Sequence, residues 1–205
     1  MVSISQTPKY DTLRRIQRIQ LVTIVWMTIE AAVSLLAAWR ARSPALLAFG
    51  GDSAVELLSA VVVLWLFSAP VENRRAESRA ARVAGALLFA LAAYVTVVSV
   101  MTLLGHNEPR PTYLGIAVLI AAAVIMPWLA NEKRKLSATT GSAALRADAA
   151  QSGLCGYLSL IALAGLAVSA IWRVAWADPV AALALIPLIV WEGKEAIRGK
   201  ACGCC

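Results

Sequence analysis

Long apolar runs separated by short charged segments dominate the chain. A helix needs about 20 apolar residues to cross a bilayer core of about 30 Å. Six stretches meet that pattern: residues 19–39, 44–67, 83–104, 113–130, 147–172 and 179–191, the last being short unless it extends to either side. Trp39, Trp65, Trp128, Trp172, Trp176 and Trp191 stand near the ends of these runs. Tryptophan favours the headgroup level because one side of its ring is apolar and the other donates a hydrogen bond. The pattern predicts an all-α integral membrane protein of six transmembrane helices.

Composition sharpens this reading. Of 205 residues, 60% are hydrophobic and 15% charged, against about 45–50% and about 25% in soluble domains. The mean hydropathy is +0.72. A soluble globule, a disordered chain and a disulfide-rich secreted domain are all excluded. A net charge of +7 would suggest nucleic acid in a soluble protein. Here it reports basic loops on one side of a bilayer, and no nucleic-acid partner is expected.

With six spans both termini share a side. That side receives Lys9, Arg14, Arg15 and Arg18, then Arg74, Arg75, Arg79 and Arg82, then Lys133, Arg134, Lys135 and Arg146, and finally Lys194, Arg198 and Lys200. The other side has Arg40, Arg42, Arg110 and Arg173. Such asymmetry places both termini in the cytoplasm, in a multi-pass protein of the inner (plasma) membrane. The first apolar run lacks a small-residue cleavage site and reads as a retained helix. The expected organisation is a basic cytoplasmic segment over 1–18, a six-helix domain over 19–194 and a cysteine-containing cytoplasmic tail over 195–205.

Most acidic residues read as loop or span-edge positions, but Glu30, Asp52 and Glu56 fall well inside predicted helices. An acid near a helix centre costs about 2.5–3.5 kcal/mol to insert, and intramembrane acids mark ion or proton pathways by default. Asp52 and Glu56 are four apart and share one helical face. Their mutual repulsion calls for a cation or protons. The alternative is a pair of permanently protonated acids bonded to neighbouring helices. Glu30 could join the pathway or bond across to another helix. Gly50 and Gly51 beside Asp52 permit close approach of a helix or an ion. On the fifth span Asp148, Gln151, Cys155 and Ser159 recur at helical spacing as one polar stripe. Intramembrane Gln and Ser also serve as glue between helices, and a buried Cys is often an inert small hydrophobe.

Two segments together carry a family pattern. The run Ser43-Pro-Ala-Leu-Leu-Ala-Phe-Gly-Gly-Asp52-Ser53-Ala-Val-Glu56 resembles helix 2 of the cation diffusion facilitator (cation efflux) family. The run Arg146-Ala-Asp148-Ala-Ala-Gln151-Ser-Gly-Leu-Cys155 resembles its helix 5, and Trp176-Ala-Asp178-Pro179 the start of its sixth helix. The resemblance spans roughly residues 19–198 and is closest to short bacterial forms with a transmembrane domain only. It implies a homodimeric exporter of zinc or a similar divalent ion in exchange for protons. It also implies a tetrahedral site with two ligands from each of helices 2 and 5, which by position are Asp52, Glu56, Gln151 and Cys155. Gln151 stands where the family has histidine and Cys155 where it has aspartate. The cytoplasmic ferredoxin-like domain of typical members is expected to be absent.

On this reading two carboxylates, an amide and a thiolate hold one divalent metal cation, zinc or cadmium, as transported substrate, with no cofactor. Loading removes protons and refilling with protons expels the ion, giving antiport. Small residues on helix 5, Ser152 and Gly156, would allow close packing with helix 2. Glu30, Asp148 and the tail cysteines Cys202, Cys204 and Cys205 are accessory metal or pathway candidates. Those cysteines form a thiolate clamp in a reducing compartment, or else a plain solvated end. His106, beside Glu108 in an outer loop, reads as an ordinary solvated residue. No nucleophile is paired with a base, so an enzyme is not expected. The competing reading is a membrane metal-binding or sensing protein of the same fold that does not transport.

Overall fold

The computed structural model describes residues 10–68, 74–106, 109–110, 112–141 and 143–198. Within them every regular element is a helix: α1 (Tyr10–Ala41), α2 (Pro44–Ser68), α3 (Arg74–Leu103), α4 (Tyr113–Thr140), α5 (Ala143–Trp172) and α6 (Ala177–Arg198). Parts of α1, α3, α4 and α5 are long and apolar enough to cross a membrane. At 25 and 22 residues, α2 and α6 reach about 33 Å or more at 1.5 Å per residue. The fold is an all-α bundle of six transmembrane helices.

The main pairings are α1 with α2, α3 with α6 and α4 with α5, while α2 touches α1, α3, α5 and α6. One apolar core runs through the bundle and includes Met27, Phe49, Leu88, Leu119, Met126, Leu158 and Leu185. Leu21, Val25, Val83, Val97, Val124 and Ile171 point outward, as a surface facing acyl chains requires. Without a hydrophobic drive between helices inside lipid, close packing relies on small residues. A Cβ at Gly50 would lie 2.9 Å from Ser34 Cβ and 3.1 Å from the Leu35 backbone nitrogen, so α1 and α2 cross there nearly backbone to backbone. Gly51 faces Leu91 of α3, and Gly85 of α3 faces Gly193 of α6. The two glycines beside Asp52 therefore admit helices. Gly156 nests against the Pro127 ring of α4, so it serves the α4–α5 contact rather than the α2–α5 contact expected for it.

The segment between the fourth and fifth runs is helical where a charged loop was expected. α4 continues to Thr140, where Gly141 adopts φ 66° and its N–H bonds the Ser137 carbonyl at 2.9 Å. That left-handed cap favours glycine, and α5 begins two residues later. A second apolar cluster of Ile16, Leu136 and Leu145 ties α1, α4 and α5 together at this end. Nearby, Arg15 pairs with Glu132 at 2.9 Å.

The opposite end is closed by Asp178, a buried acid in the first turn of α6 that the hydropathy reading left in a turn. It accepts from the Ser43 hydroxyl at 2.7 Å. Ser43 in turn accepts from the Leu46 N–H at 3.1 Å as the cap of α2.

Candidate metal site

Buried polar side chains form a ladder between the two ends, with rungs from every helix except α3. At its first level are Gln20 of α1, Lys133 of α4 and Asp148 of α5. Lys133 and Asp148 form an ion pair at 2.9 Å with both side chains fully buried. The Gln20 amide donates to the same Asp148 oxygen at 2.7 Å. Lys133 was counted above among the solvated cytoplasmic bases. The continuation of α4 past residue 130 carries it instead into the packed bundle.

Ser152, one turn along α5, links this level to the next. Lys133 Nζ donates to Ser152 Oγ at 2.8 Å, and Ser152 Oγ donates to Glu56 Oε1 at 2.8 Å. The other Glu56 oxygen is buried and has no partner among the described residues, and the same is true of the second Asp148 oxygen. Beside Glu56 on α2, Asp52 interacts with Glu192 of α6, which also meets Gln151 of α5. Sequence reasoning missed Glu192, which lies one residue past Trp191 where the apolar run ends.

The third level surrounds Glu30 of α1. Its carboxylate accepts from Trp26 Nε1 at 2.6 Å and Ser53 Oγ at 2.7 Å. Cys155 Sγ of α5 donates to it at 3.4 Å, and Ser53 Oγ lies 4.0 Å from the same sulfur. Gln20 and Glu30 are ten residues apart on one helix, so the ladder extends about 15 Å along the bundle.

The four residues named by position as ligands thus belong to one polar seam, buried at Asp52, Glu56 and Cys155 and half-buried at Gln151, but they are engaged with different neighbours. Glu56 is held by Ser152, Cys155 by Glu30, and Asp52 and Gln151 by Glu192. Among the described residues, no three His, Cys, Asp or Glu side chains are gathered tightly enough to hold a metal ion as they stand. Asp148 is engaged with Lys133 and Gln20. His106 is exposed just past the end of α3. Cys202, Cys204 and Cys205 lie outside the described residues.

Chemically, the described seam offers carboxyl oxygens from α1, α2, α5 and α6, amides from α1 and α5, a thiol from α5, and the Lys133 ammonium. Oxygen and sulfur donors of this kind suit divalent transition metals, the thiolate favouring softer ions.

Comparison with known proteins gives concordant results. The cation efflux transmembrane domain family matches residues 21–198. A protein of Synechocystis sp. described as an uncharacterized transporter is 29% identical over 156 residues, covering 72% of this chain and 50% of the relative. The chain therefore spans about half the length of that relative.

Proposed function

We propose that this chain, which belongs to the cation efflux (cation diffusion facilitator) family, is a secondary transporter. It exports a divalent transition-metal ion from the cytoplasm in exchange for protons. The observation that carries this reading is the seam itself: Glu30, Asp52, Glu56 and Glu192, all buried, reach two adjacent levels of the bundle from three helices, with Cys155 joining them from a fourth. Lipid-embedded proteins keep such acids where ions or protons pass.

Loading turns Glu56 away from Ser152 toward Asp52, and frees Asp52 and Gln151 from Glu192. As the ion binds, the Asp52–Glu192 pair gives up a proton, and the Cys155 thiol releases its proton as it ligates. Reprotonation on the far side reverses these steps and expels the ion. Each incoming ion thus displaces protons from the same groups that bind it, and one site couples the two fluxes. Asp52, Glu56, Gln151 and Cys155 are the proposed ligands, with Glu192 positioning Asp52 and Gln151, and Glu30 holding the thiol. Zinc and cadmium suit this mixed oxygen–sulfur set. The active form is proposed to be a homodimer in the inner membrane with both termini cytoplasmic.

The test is a proteoliposome panel of Zn²⁺, Cd²⁺, Co²⁺, Fe²⁺ and Mn²⁺ with a pH reporter inside. Metal flux accompanied by proton flux in the opposite direction supports the proposal. A second reading, a membrane metal-binding or sensing protein, draws on the closed hydrogen bonding around Glu30. It requires metal binding with no flux of either ion.

A further inference from the structure

Lys133 has no part in the exchange just described, yet it is fully buried in the bundle. A lysine inside a membrane protein faces a pathway or an internal partner, and elsewhere it reaches for the interface. Lys133 is 0% exposed. Apolar residues enclose it on both sides along α4, with Leu129 in the main core and Leu136 in the small cluster. Its ammonium makes two described contacts, Asp148 at 2.9 Å and the Ser152 hydroxyl at 2.8 Å. Only that hydroxyl separates it from Glu56, whose second oxygen is buried and unpartnered among the described residues. The ammonium has three N–H donors, and one of them goes to Asp148 and another to Ser152. The Ser152 link directs the positive charge toward the carboxyl that the proposed site needs.

We propose that Lys133 is a tethered counter-cation for the metal site. In the unloaded protein it offsets Glu56 through Ser152 and holds that carboxyl back. Once a divalent ion arrives it repels the ion and favours release. Asp148 tunes this effect by neutralising part of the lysine charge. The inference rests on the transport reading above and adds to it a residue that sets affinity from outside the ligand set.

Charge signs make the proposal separable from a structural role. Lys133→Gln and Asp148→Asn break the same ion pair, so damage to packing would push both variants in one direction. The counter-cation role pushes them in opposite directions. Interaction of a buried unit charge with a divalent ion one hydroxyl away is worth about tenfold or more in affinity, even at a generous effective dielectric. Full-length protein in nanodiscs is titrated with Cd²⁺ and with Zn²⁺ by calorimetry. Lys133→Gln should bind at least about tenfold tighter than the unaltered protein. Asp148→Asn should bind several-fold weaker, and Lys133→Arg should stay near the unaltered value. Shifts of both neutral variants in the same direction, or no shift in Lys133→Gln, overturn the proposal.

Breaking a buried pair can unfold a protein. The double variant K133Q/D148N keeps neutral hydrogen bonds across the pair and decides the question if either single variant fails to fold. Lys133 is the nearer charge, so the double variant should bind tighter than the unaltered protein, though by less than Lys133→Gln. Equal or weaker binding overturns the proposal. Asp52→Asn separates the two levels of inference. If it loses binding while Lys133→Gln is unchanged, only the counter-cation role falls. If the unaltered protein binds neither ion, the transport reading falls with it.

Discussion

Ser152 offers the sharpest test of the buried network, because one hydroxyl serves three helices. Replacing it with alanine removes the hydrogen bonds to Lys133 of α4 and to Glu56 of α2, each 2.8 Å long. Lys133 keeps Asp148. Glu56 keeps no side-chain partner among the described residues, since its other oxygen is already unpartnered. A buried polar group left unsatisfied costs about 1–3 kcal/mol in soluble proteins. Measured interhelical hydrogen bonds in a membrane protein average about 0.6 and reach about 1.7 kcal/mol. Alanine's better helix propensity returns at most about 0.5 kcal/mol. The net expectation for Ser152→Ala is a loss of about 1–2 kcal/mol.

Ser159 supplies the internal control on the same helix. It is equally buried, but its described bond is to its own helix, at Gly156 O and 2.7 Å. Ser159→Ala should stay within about 0.5 kcal/mol of the unaltered protein. Unfolding in mixed micelles of rising dodecyl sulfate, followed by tryptophan fluorescence, measures both. Ser152→Thr keeps a hydroxyl and should recover most of the loss. Equal midpoints for Ser152→Ala and Ser159→Ala would refute the claim that Ser152 joins three helices.

Four further outcomes are expected. Asp52→Asn and Glu56→Gln should each abolish Cd²⁺ flux in proteoliposomes while the circular dichroism spectrum stays helical, because neutral amides are cheaper to bury than acids. Cys155→Asp replaces a soft donor with a hard one, so the Cd²⁺:Mn²⁺ uptake ratio should fall several-fold; an unchanged ratio would make Cys155 a packing residue. A Cβ at Gly165 of α5 would overlap Ala181 Cβ of α6, so Gly165→Ala should lose about 1–3 kcal/mol in the micelle assay, and Ala181→Gly in the same chain should restore it. Reporter fusions at both ends should report the cytoplasm, and a periplasmic C-terminus would contradict the orientation inferred from the basic residues.

The helices were legible in the sequence, because lipid demands unbroken apolar length and the runs supply it. Their ends were less so. Hydropathy stops at Ala130, yet α4 continues through Asn131-Glu-Lys-Arg-Lys to Thr140. Charged residues continue a helix readily where it leaves the acyl region, and only the glycine at 141 marks the stop. That extension is why Lys133 read as a loop base: a charge near a span end has the same local sequence whether it faces water or the interior. Glu192 was lost in the same way beside Trp191. Asp52 and Glu56 were visible because nothing local explains two acids inside an apolar run. Their engagement with Glu192 and Ser152 was not, since it depends on how α5 and α6 dock against α2. The thiol of Cys155 read as a partner for the helix 2 acids, and the structure seats it against Glu30. Spacing along one helix gives the face a side chain occupies, whereas its neighbour is set by the rotation of the facing helix.

The distribution of the acids over helices bears on how exchange could work. Three pairs dominate the packing, α1 with α2, α3 with α6 and α4 with α5. Most rungs of the polar ladder join members of different pairs. Glu30 and Ser53 belong to the α1–α2 pair and meet Cys155 of α4–α5. Asp52 meets Glu192 of α3–α6, which also meets Gln151 of α4–α5. Glu56 meets Ser152. Within pairs, apolar and glycine-mediated contacts, as at Gly50 with α1, Gly85 with Gly193, and Gly156 with Pro127, stand beside the Lys133–Asp148 and Lys133–Ser152 contacts of α4–α5 and the Ser53–Glu30 bond of α1–α2. A metal ion bound by Asp52, Glu56, Gln151 and Cys155 would replace hydrogen bonds that join the pairs and leave the contacts within them intact. Binding and release would then change how the pairs sit against one another, and the pairs could move as units about the seam. Lys133 stands at the α4–α5 side of that seam, linked through Ser152 to Glu56, and in the proposed role it would respond to whether Glu56 is engaged with Ser152 or with an ion.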